Sequence, residues 1–102
     1  MDTPTEEDEK RLTRELRAMA DQAQADVRYN PTRFRQMLAE HGGFGTARLL
    51  LADAKLSEGF TELLLRGRVD LTLECLVQRP GWSRFFSEEE LRVARQRTDD
   101  RC

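Results

Sequence analysis

Apolar positions recur along this chain at helical spacing. Leu12, Leu16, Met19, Ala20, Ala23 and Val27 fall at i, i+4, i+7, i+8, i+11 and i+15, one stripe with polar residues on the other faces. The pattern predicts a long amphipathic helix over residues 3–28. Thr3-Pro4-Thr5-Glu6 fits a capping box with Pro at the first helical position. Glu6, Glu7, Asp8 and Glu9 crowd the first turn, where the helix dipole favours negative charge. Glu6 with Lys10 and Glu7 with Arg11 are expected as outward i,i+4 pairs.

The remaining apolar segments are shorter. Asn30 as N-cap and Pro31 as first residue open a second helix carrying Phe34, Met37, Leu38 and His41, which Gly42-Gly43 stops. A third helix is expected from Thr46 to Ala54, with Ala47, Leu50, Leu51 and Ala54 inward. Leu49 makes its apolar run nearly continuous, which predicts deep burial. Ser57 caps a fourth helix with Phe60, Leu63 and Leu64, punctuated by Gly67. Asp70 or Thr72 caps a short fifth with Leu73, Leu76 and Val77, broken at Pro80-Gly81. Trp82, Phe85 and Phe86 cluster over the break, and Ser87 to Glu90 forms a second capping box. The last helix points Leu91 and Ala94 inward and decays into a loose polar end.

These elements make an all-α fold: a compact bundle of about five to six mostly short helices with a longer amphipathic N-terminal helix. Composition agrees, since 14 Leu stand against four Val and no Ile, and β-branched apolar residues are what a sheet favours. The 102 residues suffice for one domain, divided into the long helix, a compact helical core over 29–97 and a frayed tail over 98–102. The long first helix is expected to lie across the rest, or to pair with a second copy or a partner.

Charge narrows the function classes. Seventeen basic residues against 19 acidic give a net charge of −2, which does not suggest a polyanion-binding or membrane-surface protein. Met1 is followed by acidic rather than basic and apolar residues, and no apolar run is long enough to span a bilayer, so a cytoplasmic protein is expected. The two cysteines do not make a disulfide framework: Cys75 reads as a small buried hydrophobe and Cys102 as frayed.

Candidate chemistry is sparse. His41 is the only His and lacks the company that a metal or catalytic site needs, so it reads as a helix C-cap. Gly42-Gly43-Phe44-Gly45-Thr46 lacks the Gly-Lys-Ser/Thr ending of a phosphate loop and reads as a helix–helix corner. Glu74 interrupts an apolar face and must be paired or protonated. Arg66, Arg68, Arg95 and Arg97 are the available partners. Arg28, Arg33, Arg92 and Arg95 are possible phosphate contacts. Leu12, Leu16 and Met19, with Trp82 and Phe85 if exposed, are the candidate partner-binding residues.

A pattern of landmarks runs through the chain. It comprises Tyr29-Asn30-Pro31-x-x-Phe34-x-x-Met37, Gly59-Phe60-x-x-Leu63, Asp70-Leu71-Thr72-x-Glu74-x-Leu76-Val77, Pro80-x-Trp82, Glu90-Leu91 and Ala94-Arg95-x-Arg97. The pattern resembles a family of small uncharacterised all-helical bacterial proteins over about residues 12–97. The departure is Thr98, where an apolar helix residue is expected, which implies a shorter last turn. The resemblance implies a compact helical bacterial domain and no activity.

Together these readings lead to a non-catalytic protein-interaction module or small accessory subunit of a larger bacterial assembly, with a protein partner or self-association. No catalytic, cofactor-binding or metal-binding residue, no membrane contact and no small-molecule substrate is expected. The alternative is a nucleic-acid-associated accessory protein using the Arg clusters.

Overall fold

In the computed structural model, which describes residues 1–102, the chain forms helices and no strands. Helix α1 spans Glu6–Val27. Its capping box is formed by Thr5 and Asp8, two residues later than Thr3 predicts: the Thr5 N–H donates to Asp8 and the Asp8 N–H donates to Thr5 Oγ1. The Glu6–Lys10 pair forms at 3.8 Å. Arg11 pairs with Asp8 at 3.4 Å instead of Glu7, while its guanidinium covers the Trp82 ring.

Helix α2 spans Thr32–Ala52 and unites the second and third predicted helices across a bend at Gly42 (φ 72°). Pro31 is its N-cap, and the Asn30 side chain accepts from Arg35 Nε instead of capping. Two glycines are required here for different reasons. Gly42 holds a left-handed φ that costs other residues energy. At Gly43, a β-carbon would sit 2.8 Å from Leu12 Cγ and 2.9 Å from the Thr13 backbone nitrogen, so α1 and α2 touch backbone to backbone.

Helix α3 (Glu58–Leu65) starts at the Ser57 cap and ends before Gly67 (φ 74°). A 3-10 turn over Val69–Leu71 leads to the Thr72 cap and to α4 (Leu73–Val77). Pro80 breaks the chain as predicted and also starts a further short helix, α5 (Pro80–Ser83). Helix α6 (Glu88–Thr98) begins at the predicted Ser87–Glu90 capping box. It runs the full length of its turns. Thr98 is fully buried, donates to Ala94 O at 2.9 Å and accepts from Gln78 Nε2 at 3.1 Å, so its hydroxyl is satisfied where an apolar residue was the expectation.

Helix α1 lies across the rest and packs chiefly on α2, while α6 packs on α4 and α2. One core joins Leu12 and Leu16 of α1, Phe44, Ala47 and Leu51 of α2, Leu73, Leu76 and Val77 of α4, the aromatics around α5, and Ala94 of α6. Helices as short as α3 to α6 are marginal alone and exist by sharing that core.

Candidate functional site

The partner-binding candidates on the first stripe are the core. Leu12 and Leu16 are fully buried, and Trp82 and Phe85 are 3% and 2% exposed. Met19 is half-buried and packs against the core. The physical reason is the close α1–α2 approach at Gly43, which lets α2 cover the apolar stripe of α1. Trp82 is therefore a clamp rather than an exposed anchor. Its ring packs edge-on to Phe44 at 6.0 Å, and its Nε1 donates to Glu15 Oε2 on α1 at 3.2 Å. Phe44 is packed against Phe85 and Phe86 too, and Arg48 lies over the Phe44 and Phe86 rings while donating to Phe85 O.

The glycine corner receives an anion from within the chain. The Glu9 carboxylate accepts from Phe44 N–H at 3.3 Å, and Thr13 Oγ1 accepts from Gly43 N–H at 2.9 Å. Helix N-terminal amides that would attract a phosphate are thus engaged by α1. His41 is exposed beside this corner. Its Nε2 lies 3.7 Å from Glu40 instead of capping carbonyls.

Glu74 is buried and paired, as its position on an apolar face requires. Arg97 Nη1 approaches Glu74 Oε2 at 3.3 Å and also donates to Leu50 O at 3.0 Å, while Nη2 donates to Asp53 O. Burial pushes the Glu74 carboxyl above its usual range, and the Arg97 guanidinium opposes that rise. One guanidinium therefore ties α4, the end of α2 and α6 together. Glu74 also borders an apolar cavity of about 40 Å³ among Leu16, Met19, Phe34, Leu50 and Phe60, a space for a water molecule or two.

The Arg clusters are largely divided among internal partners. Arg92 pairs with Glu89 at 2.6 Å, Arg35 with Asp21 at 2.7 Å, and Arg68 with Asp26 at 2.7 Å. Arg28 and Arg33 at the α1–α2 junction and Arg95 on α6 are exposed without a side-chain ion pair. Arg28 is the left-handed C-cap of α1 (φ 57°), so its position is set by the turn.

The cysteines pair, contrary to the sequence expectation. Cys75 and Cys102 are joined by a disulfide with Cα atoms 5.3 Å apart. The chain comes back because Asp99 and Asp100 both take positive φ, 50° and 57°, a conformation that Asp tolerates better than most residues. The expected loose end at 98–102 is in this way attached to α4.

The surface feature that sequence reasoning missed is a groove of about 560 Å³ between the two ends of α2 and the α2–α3 connection. Tyr29, Phe34, Met37, Leu49 and Leu56 supply its apolar wall, with Arg33, Lys55, Asp53 and Glu58 also lining it. Leu49 and Leu56 are 48% and 49% exposed, so the prediction of a well-buried helix around Leu49 is corrected. Ala47 and Leu51, one turn apart, face the core, and Leu49, two residues from each, faces solvent. Tyr29 Oη donates to Glu58 Oε1 at 3.4 Å, and Asp53 Oδ1 accepts from the Lys55 N–H, so both carboxylates are engaged. Arg33 and Lys55 have no ion-pair partner.

Fold and groove define a compact all-α domain with a partly apolar surface cleft. Comparisons with protein-family models, curated proteins and solved structures give no match. No three His, Cys, Asp or Glu side chains gather to hold a metal ion, and no helix is long and apolar enough to cross a membrane.

Proposed function

We propose that this chain is a non-catalytic protein-interaction module, a small accessory subunit of a larger bacterial assembly, and that it docks its partner in the groove between α2 and the α2–α3 connection. The bacterial setting rests on the family resemblance. The observation that supports the docking reading most is the exposure of Leu49 and Leu56 beside Met37 and Phe34. Contiguous apolar side chains with a polar rim are a common mark of a protein contact, and Met adapts its shape to a partner. The occupant is a polypeptide segment with apolar side chains for Leu49 and Leu56 and carboxylates for Arg33 and Lys55, since the groove's own carboxylates are already engaged.

The test starts with the partner recovered from the native host and purified. Titration of that partner into the doubly substituted L49D/L56D chain is expected to weaken binding by at least about 100-fold, the loss of two central apolar contacts. Leu65→Asp, which alters a 77% exposed leucine outside the groove, is the control and leaves affinity unchanged. Equal affinity of all three proteins would place the contact elsewhere. Binding by a second copy of the same chain, read as a concentration-dependent mass, would replace the partner reading with self-association.

A further inference from the structure

Beyond its continuity with α6, the segment after that helix has one covalent link to the rest of the molecule, the Cys75–Cys102 bond. Asp99 N–H donates to Arg95 O, and Arg101 donates through its backbone N–H and its Nε to Thr98 O, so these bonds are local to the segment. Across to α4 run only the Cys75–Cys102 disulfide and a contact from Gln78 Nε2 to Cys102 Sγ at 3.4 Å. The two half-cystines differ in access: Cys75 is 4% exposed within α4, whereas Cys102 is exposed.

We propose that the Cys75–Cys102 bond is a reversible thiol–disulfide exchange site, entered at the Cys102 sulfur by a dithiol reductant, whose opening releases residues 99–102 from α4. The proposal is independent of the groove. Exchange needs a thiolate in line with the disulfide, and only one of the two sulfurs belongs to an exposed residue. The entering thiolate bonds to Cys102 Sγ, and the Cys75–Cys102 bond breaks with its electron pair leaving on Cys75. That sulfur takes a proton from water, because an unpaired charge among Leu73, Leu76 and Val77 would be poorly solvated. The reductant's second thiolate then attacks the reductant's own first sulfur and expels the Cys102 thiolate, which takes the second proton from solvent. The protein gains two electrons and two protons, and the reductant leaves as a cyclic disulfide.

The closed state holds the end of α6 where Gln78 reaches Thr98 and Cys102 together. In the open state the covalent link is gone and Cys75 remains packed in α4, which has its own Thr72 cap. Opening is therefore local and does not require the core to unfold.

The experiment uses the full chain, air-oxidised, in buffer without denaturant. Intact mass two hydrogens below the thiol form, with no maleimide uptake after denaturation, establishes the closed state. Dithiothreitol is then added to the folded protein, and samples are quenched with maleimide and mapped by peptide mass. The proposal expects reduction at least about ten-fold faster than global unfolding measured in the same buffer. Label enters at Cys102 before Cys75, and trypsin cleavage after Arg101 rises about ten-fold on reduction. With glutathione in place of the dithiol, the mixed disulfide maps to Cys102. Reduction that proceeds only at the unfolding rate, a mixed disulfide at Cys75, or no disulfide in the oxidised chain would each overturn it. Cys75→Ser checks the assignment separately, since its Cys102 is expected to take glutathione freely; if that variant does not fold, the wild-type rates decide alone.

Discussion

At the scale of single residues, the two positions that most constrain the molecule are a glycine and a buried carboxylate. Gly43→Ala forces a methyl into Leu12 and the Thr13 backbone, and is expected to cost about 1–3 kcal/mol. Gly81→Ala is the contrasting change. A β-carbon there meets nothing within 4 Å and φ is ordinary, so it is expected to be neutral or stabilising by up to about 1 kcal/mol. Urea denaturation of the two variants checks the contrast; equal effects would mean that α1 and α2 do not touch at Gly43. For Glu74, burial raises the folded-state pKa above the unfolded value, so the folded state binds its proton more tightly. Stability linked to Glu74 is then complete below the unfolded carboxyl value and falls as pH rises through the raised folded value. Glu74→Gln is expected to flatten that fall, which begins at the ordinary carboxyl range and runs upward in pH, in denaturation curves taken from acid to neutral pH. An unchanged slope in the variant would refute it. Arg97→Met leaves the carboxylate without its cation and is expected to cost about 3–5 kcal/mol at neutral pH.

At the scale of elements, helix type and most helix starts are legible in the sequence. Ser57, Thr72 and the Ser87–Glu90 box cap the helices that they predict, since cap chemistry is local. The demand that Glu74 find an Arg also follows from the residues alone, whereas Arg97 as the choice among four does not. Three features differ from the sequence reading. Gly42 reads as a stop, yet the chain resumes as helix at once because Glu9 and Thr13 satisfy the amides beyond it. Leu49 reads as core because Leu50 and Leu51 make the run apolar, whereas Ala47 and Leu51, one turn apart, face the core and leave Leu49, two residues from each, on the outer side. Cys102 reads as frayed because the reversal at Asp99-Asp100 comes from two left-handed residues in an otherwise helical pattern. The disulfide closes a loop with a sequence separation of 27. On the chain-entropy account, the C75A/C102A double variant is expected to lose about 3–4 kcal/mol, read as a shifted urea midpoint. A midpoint equal to that of the oxidised wild type would show that the bond adds no stability.

At the scale of the whole molecule, the helices use their apolar faces on one another and leave little unpartnered. Trp82 ties α5 to α1, Arg97 ties α6 to α2 and α4, and the disulfide fixes the short segment beyond α6. The stripe that reads as a partner-binding face in sequence is spent inside the fold. The groove with Leu49 and Leu56 remains outside, which makes it the place where a partner contact is expected. The alternative of nucleic-acid contact would draw on Arg28, Arg33 and Arg95, and a mobility shift that weakens steeply with salt would favour it.

The most direct measurement is amide hydrogen exchange of the chain, free and in complex with its purified partner. The docking proposal predicts slowed exchange on binding in residues 29–37 and 49–59, with α5 and α6 unchanged. Protection confined to α1 or to the Arg-bearing face of α6, with none at Leu49–Gly59, would contradict it.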